Sequence, residues 1–115
     1  MVHLLVAAAQ GIVRAERAHM NKVAERGCAL CLYLGYGYSP CDLHHPRTGT
    51  GAGRRAPDED VIGLCPSHHR NGNWALHTMG RKAWERHYGV TELQLLKETK
   101  HALAQTLETL YGGVR

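Results

Sequence analysis

Val61-Ile62-Gly63-Leu64-Cys65-Pro66-Ser67-His68-His69-Arg70 is the stretch that decides the fold. The four opening residues read as a short strand, and Cys65 begins a turn into a helix, where proline is welcome in the first turn. Cys65-x-x-His68 carries a thiolate and an imidazole two residues apart, a gap from which both reach one small ion. His69 has to face elsewhere, because adjacent helical side chains diverge by about 100 degrees.

Upstream, Cys28-x-x-Cys31 supplies a second close pair, and two such pairs complete a tetrahedral zinc site of three thiolates and one imidazole. The 33 residues between the pairs leave room for a looped-out hairpin. Cys28-x-x-Cys31 alone also fits a redox pair, but that motif wants a βαβ context the chain does not offer. Cys41 is the odd thiol: it either substitutes for His68 or sits in a strand as a small hydrophobe, and the second reading is preferred.

Cys41-Asp42-Leu43-His44-His45 reads as the partner strand, kept extended by Pro46. Its two histidines face opposite sides, so His44 can ligate an ion while His45 stands free as a base. Together with His69, His77 and the nearby Asp60, the doubled histidines ask for two ions, or for one ion and a catalytic site. An ion with open positions and a neutral imidazole beside arginines suit phosphodiester hydrolysis. Arg47, Arg54, Arg55, Arg70, Arg81, Lys82 and Arg86 are candidate phosphate contacts, although each taken singly reads as part of an ordinary solvated basic face. Thr48 to Arg55, with Gly49, Gly51 and Gly53, reads as a hairpin loop and not as a dinucleotide fingerprint.

The flanks read as helices. Residues 12–26 form one, ended by Gly27. A short helix covers Arg81 to His87 and stops at Gly89. A longer one starts at Thr91, with Gln94 completing a capping box, and carries Leu93, Leu96, Leu103, Leu107 and Leu110 as a core-facing stripe. The 115 residues hold four Cys, nine His and no Phe, so a small core gains from a metal staple. With 43% hydrophobic and 21% charged residues the chain is neither disordered nor a membrane protein, and a net charge of +4 suits a polyanion partner. The apolar start, Val2 to Ala9, has small residues at Ala7 and Ala9 but no basic residue ahead of it. It is read as no signal peptide, which implies a cytoplasmic home where structural disulfides are not expected.

From Cys28 to about His77 the sequence resembles the HNH, or ββα-metal, endonucleases. The resemblance implies that His44 is a metal ligand, that His45 is the general base and that His69 is a helix-borne ligand of the same ion. It also matches Leu64-Cys65-Pro66-Ser67-His68-His69 to a zinc knuckle, with His68 where a second Cys is usual. Asp60 stands where many members carry an Asn, and would orient the base or touch the metal. A resemblance over more of the chain is to the phage recombination-enhancement, RecA-dependent nucleases. It is carried by His19-Met20-Asn21-Lys22-Val23, by Pro40 to Gly49, by Gly63 to His69 and by Ala83-Trp84-Glu85-Arg86-His87-Tyr88-Gly89. It implies that His77 is a further catalytic ligand. It also implies a phage or prophage origin in a bacterial host and cutting of DNA where RecA filaments form.

The expectation is one small α+β domain over residues 1–115. It has a ββα-metal core at about 28–80 with a structural zinc knuckle, an N-terminal helix, and C-terminal helices at about 81–111. Its expected work is metal-dependent DNA cleavage with a structural Zn2+ and a catalytic Mg2+ or Zn2+, without a membrane. The alternatives are a zinc-stapled nucleic-acid-binding module without catalysis and a thiol redox protein.

Overall fold

The hairpin and the helix that follows it set the architecture. The structure is a computed structural model describing residues 2–48 and 56–111. Its elements are α1 (Val2–Arg26), α2 (Ala29–Tyr33), β1 (Asp42–His44), β2 (Ile62–Leu64), α3 (Pro66–His69), α4 (Leu76–Met79), α5 (Arg81–Tyr88) and α6 (Glu92–Tyr111). Among the described residues this is a small α+β arrangement of six helices and one two-stranded sheet. β1 and β2 pair antiparallel with Asp42 opposite Leu64, Leu43 opposite Gly63 and His44 opposite Ile62. β2 runs through Cys65, the N-cap of α3, with Pro66 in the first turn. No helix among the described residues is long and apolar enough to cross a membrane.

The hairpin is seated by two glycines. Gly27 ends α1 with φ +86°, a conformation side chains resist, and a Cβ there would lie 2.6 Å from the Ser39 carbonyl oxygen. Gly63, on β2, packs directly against it: a Cβ on Gly63 would lie 2.3 Å from the Gly27 carbonyl oxygen and 2.6 Å from Cys41 Sγ. Backbone therefore rests on backbone where α1 delivers Cys28 to the core. α1, α2 and α6 all pack on β2. The buried cluster joins Leu30, Ile62, Leu64, Leu76, Trp84, Val90 and Leu95 to Cys28, Cys31 and Cys65.

Several expectations change. α1 begins at Val2 and not at residue 12. The stretch ahead of Gly11 is rich in Leu and Ala, strong helix formers, and an interior glycine costs only about 1 kcal/mol. α2 and α4 are single turns that sequence periodicity cannot register. On α6 the expected stripe is displaced: Leu93 is 47% exposed, while Leu95 and Thr99 are buried and Leu96 is half-buried. The capping box forms as expected, with Thr91 Oγ1 accepting from Gln94 N at 3.0 Å and Gln94 Oε1 accepting from Thr91 N at 3.0 Å. Gly89 ends α5 in the left-handed conformation. The glycine loop with Arg54 and Arg55, and the side chains of Leu107 and Leu110, lie outside the described residues.

Candidate metal centres

Two sets of ligand atoms gather around α3, one including His68 and the other His69. Cys28, Cys31, Cys65 and His68 form the first, with their ligand atoms all within 4.8 Å of one another. Cys28 and Cys31 come from the mouth and body of α2, and Cys31 N donates to Cys28 Sγ at 3.3 Å. Cys31 Sγ lies 3.7 Å from Cys65 Sγ, far beyond the roughly 2.05 Å of a disulfide. His68 Nδ1 lies 3.8, 3.5 and 3.2 Å from the sulfurs of Cys28, Cys31 and Cys65. An ion with bonds of about 2.3 Å to sulfur and 2.0–2.1 Å to nitrogen has tetrahedral edges of roughly 3.8 Å between sulfurs and 3.6 Å between sulfur and nitrogen. The observed edges fit that cage. Cys41 stands apart, its thiol directed at the Ala24 carbonyl oxygen at 3.6 Å and pushed up to about 11 by burial. It lies just ahead of β1 and not within the strand, and it packs half-buried against the core cluster.

Burial dominates the electrostatics of the cage. Burial raises Cys28, and burial with the neighbouring Cys28 thiol pushes Cys31 up to about 12. Burial works the same way on Cys65, but the Ser67 hydroxyl and the His68 backbone N–H outweigh it and hold that thiol below its ordinary value. Burial lowers His68, which keeps its imidazole neutral and able to ligate. A depressed, exposed nucleophilic pair would suit redox work; the Cys28 and Cys31 pair is buried and raised, which suits a staple.

The second set is His44, His69 and His77. His44 comes from the end of β1, His69 from the last residue of α3 and His77 from α4. His69 Nε2 and His77 Nε2 face each other at 3.1 Å, close to the roughly 3.3 Å edge of a tetrahedral pair of imidazole ligands. Burial, Asp42, His44, His77 and Arg70 act on His69 in that order of weight, and the net effect lowers it. Burial and then Arg70 lower His77. Both rings are held neutral, as ligands must be.

Carboxylates back the triad. His69 Nδ1 donates to Asp42 Oδ2 at 3.4 Å, which leaves Nε2 aimed at His77. His44 Nε2 donates to Glu92 Oε1 at 3.2 Å, and Glu92 Oε2 accepts from Arg47 N at 3.3 Å. Carboxylates behind ligating histidines fix ring orientation and raise ligand basicity. Glu92 is only 2% exposed, and nothing in the sequence marks it: an acid after an N-cap reads as a partner of the helix dipole. The triad opens onto a cleft of about 440 Å³ lined by His44, Arg47, Leu76, His77, Gly80, Arg81 and Glu92.

His45 takes no part in that triad. Its Nε2–H donates to Asp58 Oδ1 at 2.9 Å, which leaves Nδ1 as the basic nitrogen. The expected partner, Asp60, is placed differently: it pairs with Lys100 on α6. The carboxylate that meets His45 is Asp58, two residues earlier. Of the expected phosphate contacts, Arg47 and Arg81 line the cleft, although Arg81 Nη1 also donates to Glu85 Oε1 at 3.0 Å. Arg70, Lys82 and Arg86 are exposed. In comparisons with protein-family models, curated proteins and solved structures, nothing matches the chain.

Proposed function

We propose that the protein is a metal-dependent endonuclease that hydrolyses DNA phosphodiester bonds. One observation carries this reading. At the end of β1 two consecutive histidines separate, His44 into the triad with His69 and His77, and His45 onto Asp58. A ligand and an independently oriented base side by side is an arrangement that phosphodiester hydrolysis uses.

His44, His69 and His77 would hold the ion, with Asp42 and Glu92 fixing two of the rings. Three imidazoles favour Zn2+ or a similar transition ion over Mg2+, which prefers oxygen ligands. Such an ion supplies Lewis-acid stabilisation of charge developing on the leaving oxygen. His45 Nδ1 takes the proton of the attacking water, and Asp58 holds the ring in the tautomer that can do so. Arg47 and Arg81 in the cleft, with Arg70 and Lys82 outside it, bind the flanking phosphates without reading sequence. Cys28, Cys31, Cys65 and His68 would hold a structural zinc. The likeness to the RecA-dependent nucleases extends the proposal to cutting assisted by a RecA filament.

Incubation of the metal-replete protein with supercoiled plasmid and with single-stranded DNA, with and without a RecA filament, tests the reading. Metal-dependent cutting is expected. His45→Ala should lower it about 10²- to 10⁴-fold with metal content unchanged. Equal cutting by His45→Ala would overturn the assigned base. Binding without cleavage on every substrate would favour the zinc-stapled binding module instead.

A further inference from the structure

The two tryptophans have opposite fates. Trp84 is fully buried in the core. Trp74 is 57% exposed, which is unusual for a residue highly buried on average. Its indole is nevertheless ordered by what lies beneath it. The ring stacks on His87 with centroids 4.4 Å apart and planes 18° from parallel. His87 in turn meets Tyr88 edge-on at 4.6 Å. Tyr88 Oη donates to the Trp74 carbonyl oxygen at 2.9 Å, which pins the segment ahead of α4 to the end of α5. The result is a flat, supported aromatic surface facing water.

Its position matters as much as its shape. Trp74 stands three residues before His77, so at most about 10–11 Å of chain separates it from the triad. Arg70 is exposed four residues before it, and Arg86 is exposed next to His87 in the chain. Single strands are gripped by this combination: cationic groups follow the phosphates while an aromatic face takes an unstacked base. In a duplex the bases are stacked on each other and offer no such face.

We propose that Trp74, supported by His87, is a stacking platform for an unpaired base, and that the substrate class is single-stranded DNA. The proposal rests on the reading of the histidine cleft as a DNA-cleaving site and adds which form of DNA enters it. One strand can lie with a base on Trp74 and a nearby phosphate at the cleft.

The test is a binding titration of the metal-replete protein, followed by tryptophan emission and by anisotropy of a labelled strand. The probes are a phosphorothioate-linked oligothymidylate and a duplex of equal length, so that binding is read apart from cleavage. Trp74 is the solvent-exposed emitter, and the single strand should quench it. Trp74→Leu should lose the quenching and bind the single strand about ten-fold more weakly, with duplex binding unchanged within about two-fold. Trp74→Tyr should retain most of the affinity, since it keeps an aromatic face. Single-strand binding by Trp74→Leu equal to wild type would overturn the platform, as would an equal loss for strand and duplex. Trp74-dependent self-association in light scattering, without quenching by the strand, would overturn it too. Cleavage is scored separately on unmodified DNA. Cutting with Trp74-independent binding removes the platform and keeps the nuclease reading; Trp74-dependent binding without cutting does the reverse.

Discussion

Asp58 and Asp60 sit two residues apart, with Glu59 between them, and have unrelated partners. Asp58 accepts from His45, and Asp60 is drawn to Lys100 on the far helix. Substituting each by Asn separates the roles. Asp58→Asn should lower DNA cleavage by about ten-fold or more, because the imidazole loses the carboxylate that selects its tautomer. Asp60→Asn should leave cleavage unchanged and cost no more than about 1 kcal/mol of stability, the usual range of an exposed ion pair. Rates on plasmid DNA with urea denaturation of both variants check this. Asp60 is the carboxylate the sequence singles out, but which acid of this loop faces His45 depends on how the loop returns to the hairpin. The metal ligands were more legible, since a two-residue gap in a turn leaves little freedom. Glu92 was not legible, because its burial comes from α6 docking over the triad.

Among the elements, those with a chemical terminator were readable. Gly27, Gly89 and the Thr91–Gln94 box mark ends that the structure keeps. The inward face of α6 was misread because Leu93, Leu95 and Leu96 are close neighbours in sequence, and helical spacing alone does not say which of them turns to the core. The Gly27–Gly63 contact is an element-scale device and has an element-scale test. Gly63→Ala puts a Cβ against the Gly27 carbonyl and the Cys41 sulfur, neither of which can yield without parting α1 from the hairpin. A loss of about 3 kcal/mol is expected in urea denaturation. Gly11→Ala is the control: nothing stands within 4 Å of its added Cβ, and the interior of α1 should gain up to about 1 kcal/mol.

For the whole molecule the cage of three thiols and His68 would be the largest single term available if it holds zinc as proposed. Structural zinc contributes roughly 10–16 kcal/mol in small domains, against a net stability of about 5–15 kcal/mol for a typical domain. Removing it is expected to unfold the core. Circular dichroism before and after a strong chelator should show loss of helix and of the cooperative thermal transition, and Zn2+ should restore both. Cys65→Ser should unfold more readily than Cys41→Ser, since Cys41 lies outside the cage.

β2, Cys65 and the single turn of α3 serve both centres, with His68 on one side and His69 on the other. The two centres therefore share one support. If the cage takes zinc as proposed, a chain starved of the ion would lack the turn that aims His69 at His77. Zinc supply would then act as an interlock on the triad, set by the architecture.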